Sequence, residues 1–137
     1  GRRIVVTGAS GNVGTALLRR LAEEPDVEVH GISRRPPADA PPYRGVPWTP
    51  VEIGRAGAEE VLRTVFEKAD AVVHLAWLIQ PSRDERQLYR TNVAGSAQVF
   101  GAACFDTVSS CDRNPACPII SRLPMPPQYS QKSTICA

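Results

Sequence analysis

The four cysteines, Cys104, Cys111, Cys117 and Cys136, contain no Cys-x-x-Cys pair, and neither of the two histidines stands beside one. That spacing excludes the common zinc patterns and leaves reduced thiols as the simpler reading. No uninterrupted apolar run approaches the ~20 residues that cross a bilayer, so no membrane partner is expected. The chain does not start with the charged, apolar and small-residue blocks of a secretory signal, which makes the cytoplasm the expected compartment. Sixteen basic and fourteen acidic residues give a net charge of only +2, with the two signs interspersed. Without a basic stripe, nucleic acid is not indicated as a partner.

What is present begins at once. The apolar run Ile4-Val5-Val6 feeds the turn Thr7-Gly8-Ala9-Ser10-Gly11-Asn12-Val13-Gly14, and a helical pattern leaves it. Glycines cluster in any loop, but a turn between a buried strand and an amphipathic helix is a nucleotide-binding context. Gly8 allows the tight turn, Gly11 lets a pyrophosphate approach the backbone, and Gly14 permits close packing of helix on strand. The phosphates would rest on the free N–H groups and positive dipole end of that helix.

Strand and helix patterns alternate as far as about residue 104. Val13, Ala16, Leu17 and Leu21 share one helical face between Val13 and Glu24, and Pro25-Asp26 ends that helix. Val27 to Ile32 reads as a second strand. The proline-rich stretch Pro36 to Pro42 is a surface connection to a weak third strand near Val46 to Ile53. Ala58, Val61, Leu62, Val65 and Phe66 recur at helical spacing. After Asp70, the run Ala71-Val72-Val73-His74-Leu75-Ala76 is typical of a strand covered on both faces. A long helix is expected from about Ser82 to Ala103, with Leu88, Asn92, Gly95, Val99 and Ala102 on one side. Strands joined by helical crossovers form a parallel sheet, with the glycine loop at the carboxyl ends of its strands.

Residues 105–137 change character. They hold Pro115, Pro118, Pro124, Pro126 and Pro127, three of the four cysteines, and no apolar periodicity longer than Ile119-Ile120. The expected organisation is therefore a nucleotide-binding portion over 1–104 and an irregular or disordered tail over 105–137. With no fifth strand legible, the fourth strand is left as a hydrophobic edge that invites pairing with a second copy into a homodimer. At 137 residues the chain is one domain at most, long enough for a core and short for a complete dinucleotide-dependent enzyme.

The glycine turn, His74-Leu75-Ala76 after Asp70, and Thr91-Asn92-Val93-Ala94-Gly95 on the following helix resemble, in order and spacing, the extended short-chain dehydrogenase/reductases, the NAD-dependent epimerase/dehydratase group. The resemblance covers residues 1 to about 104. It implies an α/β fold with a Rossmann-type doubly wound parallel sheet, here incomplete at about four strands. It also implies a bound NAD or NADP, with Gly8, Ser10, Gly11, Asn12, Val13 and Gly14 around the pyrophosphate. By position, Leu75 and Ala76 would line the cofactor near its ribose and nicotinamide half, and Asn92 would support the backbone nearby. His74 reads as a satisfied packing histidine, since the backbone around it matters more in this family than the imidazole.

Cofactor choice is set at the end of the second strand, about twenty residues after the glycine loop. An acidic side chain there would accept hydrogen bonds from the ribose 2′-OH of NAD. This chain has Ser33-Arg34-Arg35, and a guanidinium pairs with a 2′-phosphate through charge-assisted hydrogen bonds. NADP is favoured, with NAD as the alternative and a merely solvated arginine pair as the bland reading. Glu52-Ile53 falls where the family has an aspartate and an aliphatic residue beside the adenine. Trp48 and Trp77 could border the cleft, although an isolated tryptophan more often packs in a core or on a surface.

The family's reaction uses a tyrosine as acid or base, a lysine four positions later that lowers its pKa, and a serine on the substrate oxygen. No Tyr-x-x-x-Lys occurs here. Tyr129-Ser130-Gln131-Lys132 has a spacing of three, which still shares a helix face. Ser109-Ser110 echoes the family's serine pair without the strand that should carry it. Tyr129, Lys132 and Ser110 are thus imperfect catalytic candidates, and an out-of-frame tail after Cys104 would account for the same facts. The expected function is hydride transfer between a nicotinamide dinucleotide and a sugar nucleotide or small carbonyl substrate in the parent enzyme. The alternatives are a non-catalytic dinucleotide-binding or redox-sensing protein and a truncated inactive product. No metal is expected.

Overall fold

The structure is a computed structural model that describes residues 1–79 and 83–111. β1 (Arg2–Thr7), β2 (Val27–Ser33), β3 (Trp48–Pro50) and β4 (Ala71–His74) form one parallel sheet in the order β3-β2-β1-β4. The chain winds outward from β1 to β3 and then crosses back to place β4 beside β1. That reversal is the topological switch point, and in open α/β sheets ligands bind outside the strand carboxyl ends there.

The sheet separates two apolar layers because successive strand residues face opposite ways. Val5, Ile32 and Val72 face the layer made with α2 (Ala58–Phe66) and α4 (Gly95–Cys111). Ile4, Val6, Val29 and Val73 face α1 (Asn12–Leu21) and the loop that carries Tyr43 and Val46. The register sets Ile4 opposite Val29 on one side and Thr7 opposite His74 on the other. Full burial of Val5, Val6, Ile32, Leu62 and Val99 anchors both layers, each such side chain contributing about 1.5 to 3 kcal/mol.

Several expectations shift in detail. α1 buries Gly14 and Leu18, not Val13 and Ala16, and Val13 is 67% exposed. The third strand shortens to Trp48–Pro50, since Pro47 and Pro50 offer the ladder no N–H. β4 ends at His74, and its outer side has no neighbouring strand among the described residues. Ala71 is exposed and Val72 to His74 are only partly buried, so among the described residues β4 is an edge, as expected with no fifth strand legible, and is not covered in the way its apolar run suggested. The expected long helix is three segments: α3 (Glu85–Tyr89), a π-helical turn (Arg90–Ala94), and α4, which continues to Cys111, beyond the expected end near Ala103. Gly95, Val99 and Ala102 are buried as expected, whereas Leu88 and Asn92 are only partly so. No helix among the described residues is long and apolar enough to cross a membrane.

Candidate nucleotide-binding cleft

A cleft of about 230 Å³ opens at the carboxyl ends of the strands. Its floor is the glycine turn. Gly8 adopts a left-handed backbone with φ +69, and a Cβ there would lie 2.6 Å from the Ala76 nitrogen. A Cβ on Gly14 would lie 2.5 Å from the Gly8 carbonyl oxygen, so α1 can approach β1 only because that position has no side chain. Gly11 differs: its Cβ would meet only the Gly8 oxygen, at 3.3 Å, and the space beyond is the cleft. Gly11 caps α1 in an extended conformation with no side-chain cap, and the first turn has no acidic residue. The first-turn N–H groups are therefore left to an external acceptor.

The wall toward β2 and β3 carries Ser33, Arg34, Glu52 and Ile53. Ser33 is buried, and its hydroxyl has no hydrogen-bond partner among the described residues. An orphaned buried hydroxyl costs about 1 to 3 kcal/mol, a cost that a ligand oxygen reaching it would relieve. Arg34 lines the cleft and Arg35 does not; both are exposed, and among the described residues neither forms an ion pair. Glu52 is already engaged, with Oε1 3.3 Å from Arg55 Nε and 3.6 Å from Arg90 Nη2. Ile53 packs so closely on Gly95 that a Cβ there would come within 2.8 Å of it.

The opposite wall is the segment that follows β4. The Thr7 carbonyl accepts the Leu75 N–H at 3.0 Å, and Thr7 Oγ1 accepts that of Ala76 at 3.5 Å. Thr7 Oγ1 also lies 2.6 Å from His74 Nδ1, while His74 Nε2 lies 2.9 Å from Ser96 Oγ. This network suits a neutral ring: the threonine hydroxyl donates to Nδ1, and Nε2–H donates to the serine. Burial holds the His74 pKa below its usual value, in keeping with that state. His74 is thus the satisfied histidine that its position suggested, with Phe100 edge-on against its ring at 5.8 Å. Farther along, Asn92 Oδ1 accepts the Leu78 N–H at 2.8 Å and Nδ2 donates to the Leu78 carbonyl at 2.9 Å. The π turn that carries Asn92 also brings Thr91 into the cleft lining.

Of the expected cofactor residues, Gly8, Ser10, Gly11, Ser33, Arg34, Glu52, Ile53, Leu75 and Ala76 converge on the cleft. Asn12, Val13 and Gly14 lie in the first turn of α1 and, like the exposed Arg35, are not part of the lining, and Asn92 acts on the backbone of the wall at Leu78. Thr7, Val51, Leu78 and Thr91 also line it and were not singled out from the sequence. Thr91 and Thr7 did belong to recognised motifs, but their facing is a property of the fold. Trp77 borders the cleft, while Trp48 packs over Gly31 and edge-on to Tyr43. Tyr129 and Lys132 lie outside the described residues. Ser110 falls on the backbone of α4, not at the end of a strand. Cys104 is an exposed free thiol, and no cluster of metal-ligating side chains occurs among the described residues.

Comparison with known proteins agrees with this geometry. The model of the NAD-dependent epimerase/dehydratase family matches residues 4–112, which carries the likeness to the end of α4. The chain is 34% identical over 99 residues to the hybrid PKS-NRPS synthetase poxE of Penicillium oxalicum, covering 68% of this chain and 2% of that protein. It is 30% identical over 100 residues to the NAD-dependent glucose-6-phosphate dehydrogenase of Haloferax volcanii, covering 73% of this chain and 37% of the enzyme. Among solved structures, the Bordetella bronchiseptica enzyme WbmG in complex with NAD and UDP superposes with a TM-score of 0.65 at 25% identity, covering 77% of this chain and 34% of WbmG. The chain thus spans about a third of the Haloferax and Bordetella enzymes and a small fraction of the synthetase.

Proposed function

The chain belongs to the NAD-dependent epimerase/dehydratase family, and from that premise we propose that its cleft binds a nicotinamide dinucleotide. The observation that carries the proposal is the buried Ser33 hydroxyl at the end of β2, without a partner among the described residues, in a cleft whose lining also holds the glycine floor before the uncapped start of α1. The residues fit the group. Gly11 leaves room where a side chain would fill the cradle, the first turn of α1 offers N–H donors to a pyrophosphate, and Ser33 offers its hydroxyl to a ribose. When bound, the dinucleotide would supply hydride chemistry. Asn12, Val13 and Gly14 would contribute backbone, and Leu75 and Ala76 would close the side toward the nicotinamide half.

NADP is our preferred form over NAD. Arg34 and Arg35 form no ion pair among the described residues, and the sequence at the end of β2 has no carboxylate to repel a 2′-phosphate. Glu52 meets Arg55 and Arg90 through Oε1, which leaves Oε2 for an adenine contact among the described residues.

The parent activity in this reading is hydride transfer on a sugar nucleotide or small carbonyl substrate, with Tyr129, Lys132 and Ser110 as candidates for the proton. The three-residue Tyr129–Lys132 spacing supports a second reading, a dinucleotide-binding protein without that chemistry. Pairing of two copies along the β4 edge belongs to either reading. Calorimetric titration with NADPH and NADH tests the binding proposal, and absence of heat with both would overturn it. Turnover that disappears in Tyr129→Phe would select the catalytic reading.

A further inference from the structure

The strand order places Ser33 and Arg34 on one side of the glycine floor and Leu75 to Leu78 on the other. A dinucleotide with its adenosine half at Ser33 and Arg34 therefore extends its nicotinamide half toward the segment after β4; this step rests on the binding proposal above. In that segment Trp77 lines the cleft, is 58% exposed, and makes no ring contact among the described residues. Trp48, the only other tryptophan, is packed away between Gly31 and Tyr43. The backbone that carries Trp77 is fixed on both sides, by Thr7 at Leu75 and Ala76 and by the paired Asn92 bonds at Leu78. An indole with a free face on an anchored backbone is pre-organised for stacking, because little freedom is lost when a ligand arrives.

We propose that Trp77 is the aromatic platform for the nicotinamide half of the dinucleotide. The oxidised ring is a pyridinium cation, and an indole face is the best aromatic partner for a cation. Trp77 therefore favours the oxidised cofactor over the reduced one.

The test is calorimetry of NADP⁺, NADPH and 2′,5′-ADP, which lacks the nicotinamide half, on the native chain, Trp77→Ala and Trp77→Phe. Trp77→Ala should weaken NADP⁺ about tenfold, the usual worth of one aromatic stack. NADPH should weaken less and 2′,5′-ADP not at all, and Trp77→Phe should recover most of the loss. In Trp48→Phe, where Trp77 is the single tryptophan, saturating NADP⁺ should quench the fluorescence. Undiminished NADP⁺ affinity in Trp77→Ala, an equal loss for 2′,5′-ADP, or unchanged fluorescence at saturation would overturn the assignment while leaving the binding proposal intact. Failure of the native chain to bind either the NADP⁺/NADPH pair or the NAD⁺/NADH pair would instead overturn the binding proposal and this one with it.

Discussion

Asn92 closes a two-bond ring with the backbone of Leu78, accepting from its N–H at 2.8 Å and donating to its carbonyl at 2.9 Å. An amide side chain carries its acceptor and its donor side by side, so it can meet both groups of one residue at once, and the ring ties the π turn to the wall of the cleft. Asn92→Ala should lower stability by about 1 to 2 kcal/mol, the net worth of two hydrogen bonds whose partners are left half-buried. Dinucleotide affinity should fall as well, because the segment from Leu75 to Ile79 loses its distal anchor. Urea denaturation and calorimetry on the same preparation would show whether both change.

Ser33 gives the opposite pattern. Its buried hydroxyl has no partner among the described residues, so Ser33→Ala should leave stability unchanged or slightly improved while weakening dinucleotide binding by about 1 kcal/mol. A denaturation midpoint that drops would mean the hydroxyl is satisfied within the fold.

Two glycines of one turn should part company under substitution. Gly11→Val should keep the fold and lose the dinucleotide, since the new side chain would extend into the cleft past a single 3.3 Å contact. Gly14→Val should destabilise the fold itself by at least about 1 to 3 kcal/mol, because even its Cβ would lie 2.5 Å from the Gly8 oxygen. Circular dichroism melts alongside ligand titration separate the two.

Cofactor preference should follow charge at the cleft mouth. With Arg34 lining the cleft and unpaired among the described residues, NADPH should bind more tightly than NADH. Arg34→Asp should narrow or reverse the difference by about 1 to 3 kcal/mol. Equal affinities that the substitution does not change would remove the arginines from cofactor selection.

Stability should decline as the pH falls from about 7.5 to 5.5. Burial lowers the pKa of His74, and burial together with the Arg3 guanidinium lowers that of His30. Both rings therefore bind protons more readily in the unfolded chain. Their contribution is complete above the unfolded value of about 6.5 and is lost as the pH falls through the lower folded values. His74 faces the Thr7 and Ser96 hydroxyls, and His30 faces Arg3 and the Thr49 hydroxyl. Replacing both by Gln should flatten the pH dependence of the urea midpoint over that window.

The glycine turn, the strand before it and the family itself were legible in the sequence. Each is a local pattern: fixed glycine spacing, short apolar runs, and the His74-Leu75-Ala76 and Thr91-to-Gly95 motifs. α2 was also legible from its helical periodicity, apart from Val61, which turns outward. Reading a helix by its 3.6-residue period assumes that period throughout, so the π turn at Arg90–Ala94 was invisible, and with it the inward turn of Thr91. The same limit set the α1 face one residue off, because the close approach of Gly14 to Gly8 fixes which side of α1 meets the sheet.

The sequence by itself determined where the chain turns, where its short apolar runs lie, and that a glycine-rich turn follows β1, because these depend on neighbours a few residues apart. Only the tertiary structure decided that the Ser33 hydroxyl is buried without a partner, that Glu52 is claimed by Arg55 and Arg90, and that Trp77 faces the cleft while Trp48 does not. The Arg90 contact to Glu52 and the place of Trp77 in the cleft join segments that are distant in the chain and become adjacent only after the crossover returns β4 to β1.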